Sequence, residues 1–290
     1  MTLFQLLQSN PALLYLTTIL LGLSVGSFLN VVIYRLPVML EREWKFQCEE
    51  LLNDKEPPEG EQAFNLITPR SRCPHCNHMI TALENIPVIS YALQKGKCTG
   101  CGAKISARYP VIETLTAILS VMVVWQFGFS WQSGAALLLT WSLIALTFID
   151  LDTFLLPDNI TLPFLWLGIL VSFWQLFVDL DASVIGAVAG YMSLWLVYWA
   201  FKLLLKKEGM GYGDFKLLAM LGAWLGWQSL PLIIILSSLV GAVVGVAMIL
   251  FKGHDRNKPI PFGPYLAAAG WIALIWGSDI TRAYIQFSGM

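Results

Sequence analysis

Seventeen of the eighteen Lys and Arg residues of this chain fall in three segments, and most of the remainder consists of uncharged apolar runs. Ten lie between Arg35 and Arg108, four between Lys202 and Lys216, and three between Lys252 and Lys258; Arg282 stands apart. In a bilayer, loops rich in Lys and Arg stay on the cytoplasmic side, so the three segments are expected to share that side. The apolar stretches that satisfy this rule are about 12–36, 110–127, 134–150, 160–178, 183–205, 214–227, 231–251 and 262–278. The outward connections between them, near 128–133, 179–181 and 228–230, carry no Lys or Arg. The expectation is an all-α polytopic membrane protein with about eight transmembrane helices and both termini outside the cytoplasm.

Charged residues make up 13% of the chain, against about 25% in soluble domains, which excludes an ordinary soluble fold. A net charge of −1 says nothing about nucleic acid, which is not an expected partner. The first cation, Arg35, follows the first apolar run. A cleavable signal peptide carries its charge before that run, so the segment reads as an anchor. The stretch 214–227 is short for a hydrocarbon core of about 30 Å. Pro231 breaks the long uncharged run Leu217–Phe251, which allows two crossings there or a re-entrant hairpin.

Composition divides the chain into an N-terminal helix (1–36), a cytoplasmic insert (37–109) and a membrane-embedded helical bundle (110–290). Within the insert, Glu41–Glu61 is acidic and ends in Pro57-Pro58 and Gly60, the pattern of a short helix followed by a loop. Cys73-Pro74-His75-Cys76 and Cys98-Thr99-Gly100-Cys101 follow. Two Cys-x-x-Cys pairs can supply four thiolates to a structural, tetrahedral Zn²⁺. Gly100 and Gly102 would ease the tight turn, and His75 and His78 would flank the metal rather than bind it. The competing readings are disulfides, disfavoured in a reducing compartment, or four unrelated thiols. Cys48 lies outside the pattern.

Two acidic residues stand where apolar runs end. Asp150 closes the run Leu137–Ile149, and Asp214 follows Gly211-Tyr212-Gly213. Ionisable groups at the edge of hydrocarbon are costly and usually functional. Asp152 lies about 200° around a helix from Asp150, so the two cannot face one partner, and Asp152 reads as solvated. Asp158, just before an apolar run, reads as a helix N-cap. Asp214 has two readings: an N-cap, or one half of a carboxylate pair with Asp150. Two carboxylates about 3 Å apart hold one proton between them. The ionised member can activate water while the protonated one stabilises charge on a scissile carbonyl.

Gly211-Tyr212-Gly213-Asp214 resembles the Gly-x-Gly-Asp signature of intramembrane aspartyl proteases. With Phe148-Ile149-Asp150-Leu151-Asp152, Leu156-Pro157-Asp158 and the opening Gly26-Ser27-Phe28-Leu29-Asn30, the chain resembles the bacterial type IV prepilin peptidases over nearly its whole length. The four-cysteine insert, with Glu84-Asn85-Ile86-Pro87 between its pairs, fits the same likeness.

The resemblance implies an inner-membrane enzyme with two activities on type IV prepilins and type II secretion pseudopilins. The first is removal of a basic leader after a glycine at the cytoplasmic face, with Asp150 and Asp214 as the catalytic pair and Gly211, Gly213 and Lys216 supporting the loop. The second is N-methylation of the new terminus with S-adenosylmethionine, associated in the family with the insert. No glycine-rich fingerprint places that cofactor; Gly96, Lys97, Glu84 and Glu113 are its candidate contacts. The insert's glutamates either hold the basic leader or form a solvated linker. Three other readings stay open: a peptidase without methyl transfer, an ion-coupled transporter using the paired aspartates, and a membrane-anchored zinc-ribbon scaffold.

Overall fold

The computed structural model describes residues 3–53, 64–206, 210–252 and 260–288. They form two compact units, Met1–Trp125 and Gln126–Met290. Among the described residues the regular structure is helical, with only two isolated β-bridges, Arg72 to Met79 and Lys97 to Lys104.

The first unit opens with α1 (Leu3–Ser9) and α2 (Pro11–Asn53). At 43 residues, α2 is about 65 Å long. The apolar run expected at 12–36 therefore continues into the acidic segment without a break, and Pro37 lies inside the helix. The proline-containing end of that segment lies outside the described residues. The short helix α3 (Ile89–Leu93) sits in the insert, and α4 (Arg108–Phe127) closes the unit. Gly22 and Gly26 let α2 and α4 approach closely. A Cβ on either would come within 2.7 Å of the α4 backbone, at the Cα atoms of Ala117 and Glu113 respectively. Two small residues four apart are the usual way for apolar helices to pack where no hydrophobic effect drives them together.

The second unit contains α5 (Trp131–Thr153), α6 (Asp158–Ser172), α7 (Leu180–Leu205), α8 (Tyr212–Leu225), α9 (Leu230–Lys252) and α10 (Gly263–Ser288). Side-chain caps start two of them: Ser130 accepts from the Ser133 N–H at 3.1 Å, and Asp179 from that of Ala182 at 2.8 Å. The core is α8. Phe215, Leu217, Leu218, Met220, Leu221, Ala223 and Trp224 are all fully enclosed. Gly186 of α7 and Gly222 of α8 bring the two backbones into direct contact, and Gly190 would place a Cβ only 2.6 Å from the Leu218 carbonyl. The Ser183 hydroxyl then donates across to the Ala223 carbonyl at 2.6 Å. On the opposite side, the Trp224 indole N–H donates to the Phe164 carbonyl of α6 at 2.7 Å. The α10 residue Trp271 donates to Thr140 of α5 at 3.1 Å.

Each of the eight apolar stretches is a helix, but eight crossings are not established. Five described spans are long and apolar enough to cross a membrane: Pro11–Leu52, Arg108–Phe127, Trp131–Thr153, Leu180–Leu204 and Trp227–Met248. The helices α6 and α8 have 15 and 14 residues, or about 22 and 21 Å, short of a core of about 30 Å. The shortness of α8 goes with its burial, because its surroundings are other helices on every side.

The contact between Gly186 and Gly222 gives the first prediction. Gly222→Leu forces α7 and α8 apart and costs roughly 1–3 kcal/mol or more, seen as a lower thermal unfolding midpoint in detergent. Gly134→Leu, where a Cβ meets nothing within 4 Å, leaves the midpoint nearly unchanged.

Candidate active site and metal centre

Asp150 lies in the last turn of α5 and Asp214 in the first turn of α8; they are 5% and 7% exposed. Each is held by a backbone N–H. The Gly263 N–H, at the start of α10, donates to Asp150 Oδ2 at 3.0 Å. Asp214 reaches back to accept from the N–H of Gly211. Gly211 is the N-cap of α8, so Asp214 occupies the third helical position and makes the returning half of a capping box. It is not the N-cap itself, which corrects the simpler of its two readings.

The two carboxylates stand at the same end of this unit and interact electrostatically. Leu156 joins their surroundings. Its Cδ1 would lie 3.3 Å from a Cβ on Gly213 and 3.2 Å from one on Gly263. A Cβ on Gly263 would also meet Asp150 Oδ2 at 2.6 Å. Gly213 and Gly263 are therefore required by close approach. Gly211 has an ordinary extended backbone, with φ −81°, and nothing crowds it. Asp152 is exposed, as two residues of helix demand.

Asp158 is not an N-cap. Pro157 holds that position without a side-chain bond, and Asp158 begins the helix proper. Its carboxylate instead grips Lys216 Nζ, both oxygens at 2.7 Å, which ties the start of α6 to the N-terminal part of α8. The loop is steadied further by aromatic packing: the Tyr212 ring lies 5.3 Å from that of Tyr198 and 5.4 Å from that of Phe215. Gly263 escaped the sequence reading; its only signal is Pro261-Phe262-Gly263-Pro264 ahead of an apolar run.

In the insert, the ligand atoms of Cys73, Cys76, Cys98 and Cys101 all lie within 4.8 Å of one another. The Cys73–Cys101 and Cys76–Cys98 Sγ separations are 3.9 Å. A tetrahedron with metal–sulfur bonds of about 2.3 Å, the zinc value, has edges of about 3.8 Å, so the donor set fits the expected ion. The two Cys-x-x-Cys turns are built alike. Cys73 donates its N–H to the His78 carbonyl and accepts from the Asn77 N–H, while Cys98 donates to Ala103 and accepts from Gly102. Asn77 and Gly102 both take positive φ, 57° and 72°, the left-handed conformation that Asn and Gly tolerate best. The turn glycine of the second knuckle is thus Gly102. Gly100 serves another end, since a Cβ there would come within 3.1 Å of the His78 side chain. The Cys73 thiol is drawn down to about 6, first by the His75 N–H and then by that of Cys76, which favours the thiolate a metal needs.

Glu84 and Glu113 brace this centre. Glu84 accepts from the Thr81 N–H and hydroxyl at 2.8 Å, from His78 at 3.1 Å, and from the Thr99 hydroxyl. It therefore links the two knuckles and holds His78 beside the cysteines. Glu113, buried in α4, accepts from the Val88 N–H at 2.7 Å. Val88 has φ 61°, a strained conformation for a β-branched residue, costing roughly 1–3 kcal/mol. Gly96 is buried with φ 67°, its Cβ position 2.9 Å from the Tyr91 hydroxyl, whereas Lys97 is exposed.

The fold and these two clusters define a class: a helical membrane protein with a carboxylate pair in one unit and four thiols that could hold a metal ion in the other. The chain belongs to the type IV leader peptidase family. Residues 20–127 match the bacterial peptidase A24 N-terminal domain, and residues 137–246 match the type IV leader peptidase family itself. A prepilin leader peptidase/N-methyltransferase of Aeromonas hydrophila is 59% identical over 98% of both chains. Proteins of that name from Stutzerimonas stutzeri and Pseudomonas aeruginosa are each 57% identical, covering 99% and 100% of this chain and 99% of their own. No solved structure matches.

Two predictions rest on this geometry. Gly263→Ala drives a methyl group into Asp150 Oδ2 and lowers peptide cleavage at least tenfold, read by gel shift of a prepilin, while Gly134→Ala leaves it unchanged. The carboxyl of Glu84 is pulled from 4.5 down to about 2, chiefly by the Thr99 hydroxyl and next by the Thr81 N–H. Its stabilisation is full above about pH 4.5 and fades as the pH falls toward 2. A metal-sensitive dye should show Glu84→Gln releasing metal more readily at neutral pH, with a flatter pH dependence across that window.

Proposed function

We propose that this protein is a bifunctional enzyme of the bacterial cytoplasmic membrane that removes the leader peptides of type IV prepilins and related pseudopilins and then N-methylates the new terminus. The observation that carries the reading is the pair Asp150 and Asp214: buried, gathered around Leu156, and each held by a backbone N–H at one end of a helical unit. Two carboxylates so placed work with a shared proton. The ionised one takes a proton from water as that water attacks the scissile carbonyl. The protonated one donates to the carbonyl oxygen and takes that proton back as the tetrahedral adduct collapses, while its partner passes the proton taken from water to the leaving amine. The Gly263 N–H fixes the orientation of Asp150 throughout. Lys216 and Asp158 keep the Gly211–Asp214 loop against α6.

Placing the insert and this helical end on the cytoplasmic side, with both termini periplasmic, follows from the Lys and Arg distribution. Four thiolates favour zinc, in a structural role, because they leave no open coordination position. S-adenosylmethionine, when bound, supplies the methyl group: the amine lone pair forms the new N–C bond, the broken S–C pair stays on sulfur, and the amine's proton leaves to solvent. The carboxylates sit at helix ends beside loops, whereas coupling sites in transporters usually lie near the bilayer midplane.

Mass spectrometry of a pilin before and after incubation with enzyme and methyl donor separates the activities. Loss of the leader and gain of one methyl group are expected with the native chain. Asp150→Asn and Asp214→Asn each reduce cleavage more than a hundredfold while unfolding as the native chain does. Undiminished cleavage by either variant would remove that residue from the catalytic pair.

A further inference from the structure

The Met1–Trp125 unit has a half-open cavity of about 600 Å³, lined by neither Asp150 nor Asp214. Its size falls in the range of roughly 300–1,000 Å³ that cofactor-sized molecules occupy. The floor is made by two helix stripes. Ser27, Asn30 and Tyr34 line it from α2, and Tyr109 and Glu113 from the start of α4. The stripes are brought together by the Gly26 contact and by Asn30, whose amide donates to the Tyr109 carbonyl at 3.3 Å. The roof comes from one cysteine of each knuckle, Cys73 and Cys98, with the brace Glu84 and with Tyr91 of α3.

The walls carry a mixture of chemistries. Three tyrosines offer aromatic faces, Glu84 and Glu113 offer carboxylates, and Arg70, Arg72 and Lys104 add cations at the roof. A purely anionic ligand would leave the buried Glu113 opposed, and an apolar segment would leave these polar groups without partners. A molecule joining a flat aromatic base, a sugar, a sulfonium cation and an amino-acid zwitterion matches all of them. Bases stack on aromatic rings, cations favour aromatic faces and carboxylates, and a ligand carboxylate pairs with Arg or Lys.

We infer that this cavity is the S-adenosylmethionine site, with the Tyr34 and Tyr109 rings and the Glu113 carboxylate as its floor and the four-cysteine centre as its roof. The inference rests on the N-methyltransferase half of the proposed function. It gives the metal centre a definite role in methyl transfer, since a cavity roofed by the knuckles exists only while they are folded. It also separates Glu113 and Glu84, which line the cavity, from Gly96 and Lys97, which do not.

The test uses the full chain in detergent with S-adenosylhomocysteine as the calorimetric probe and radiolabelled S-adenosylmethionine for ultraviolet cross-linking and peptide mapping. The expected label lies on peptides containing Tyr34, Tyr91 or Tyr109. Tyr34→Ala and Tyr109→Ala each weaken the probe at least tenfold; both rings are 49% exposed or more, so their loss does not open a core. Tyr284→Ala, equally exposed in α10, binds as the native chain does, and chelating the metal weakens binding as the cavity variants do. If the native chain methylates pilin but the label maps elsewhere and both variants bind normally, the site is wrong and the function stands. If the variants raise only the KM for pilin, the cavity takes the pilin terminus and the inference falls. A native chain that neither binds the probe nor methylates pilin removes the inference and the methyltransferase reading together.

Discussion

The second unit depends on the meeting of α7 and α8 at Gly186 and Gly222. Backbone contact of this kind is available only where both residues lack a side chain, and it draws a 14-residue helix into the middle of the unit. Once α8 is seated, Trp224 locks to α6 and Leu221 fills the space left by Gly270 of α10. The first turn of α8 then has one possible position, against the loop after α5. Asp214 meets the surroundings of Asp150 there because the helix behind it cannot slide.

Both carboxylates are oriented by backbone N–H groups rather than by other side chains. Backbone donors at helix starts are fixed by the helix itself and lose no rotamer freedom on forming the bond. The ion pair of Asp158 with Lys216 adds restraint at the edge, where solvent screening leaves such pairs worth only about 0–1 kcal/mol. Its contribution is to register, tying α6 to α8, more than to stability. In the first unit the same economy appears in the insert. Glu84 satisfies groups from both knuckles with one carboxylate, and Glu113 holds the strained Val88, so a region with little apolar core is organised by charge-assisted hydrogen bonds around a four-cysteine cluster.

Much of this was legible in the sequence because it follows from local chemistry. Apolar runs name the helices, Cys-x-x-Cys spacing names four thiols that could hold a metal ion, and the two-residue step from Asp150 to Asp152 shows that they cannot share a face. The continuity of α2 through Pro37 was not legible, since proline usually ends a helix. Nor was the partner of Asp158, because its capping preference is local whereas Lys216 lies 58 residues away. The hydrogen bond from Gly263 to Asp150 spans 113 residues and leaves no periodic trace. The glycines at 22 and 26 were visible, but only the neighbouring helix explains why they must be small.

The sequence by itself determined the class of this protein, because hydrophobic length and charge placement fix what can enter a bilayer regardless of how helices are arranged. It also singled out the four cysteines and the two acidic residues, since each depends on neighbours within a few positions. Only the tertiary structure decided that α8 is the buried centre, that Asp150 is held from α10, and that the knuckles roof a cavity between α2 and α4. Those facts arise from close packing between segments distant in the chain, and packing is a property of shape in three dimensions that no local pattern encodes.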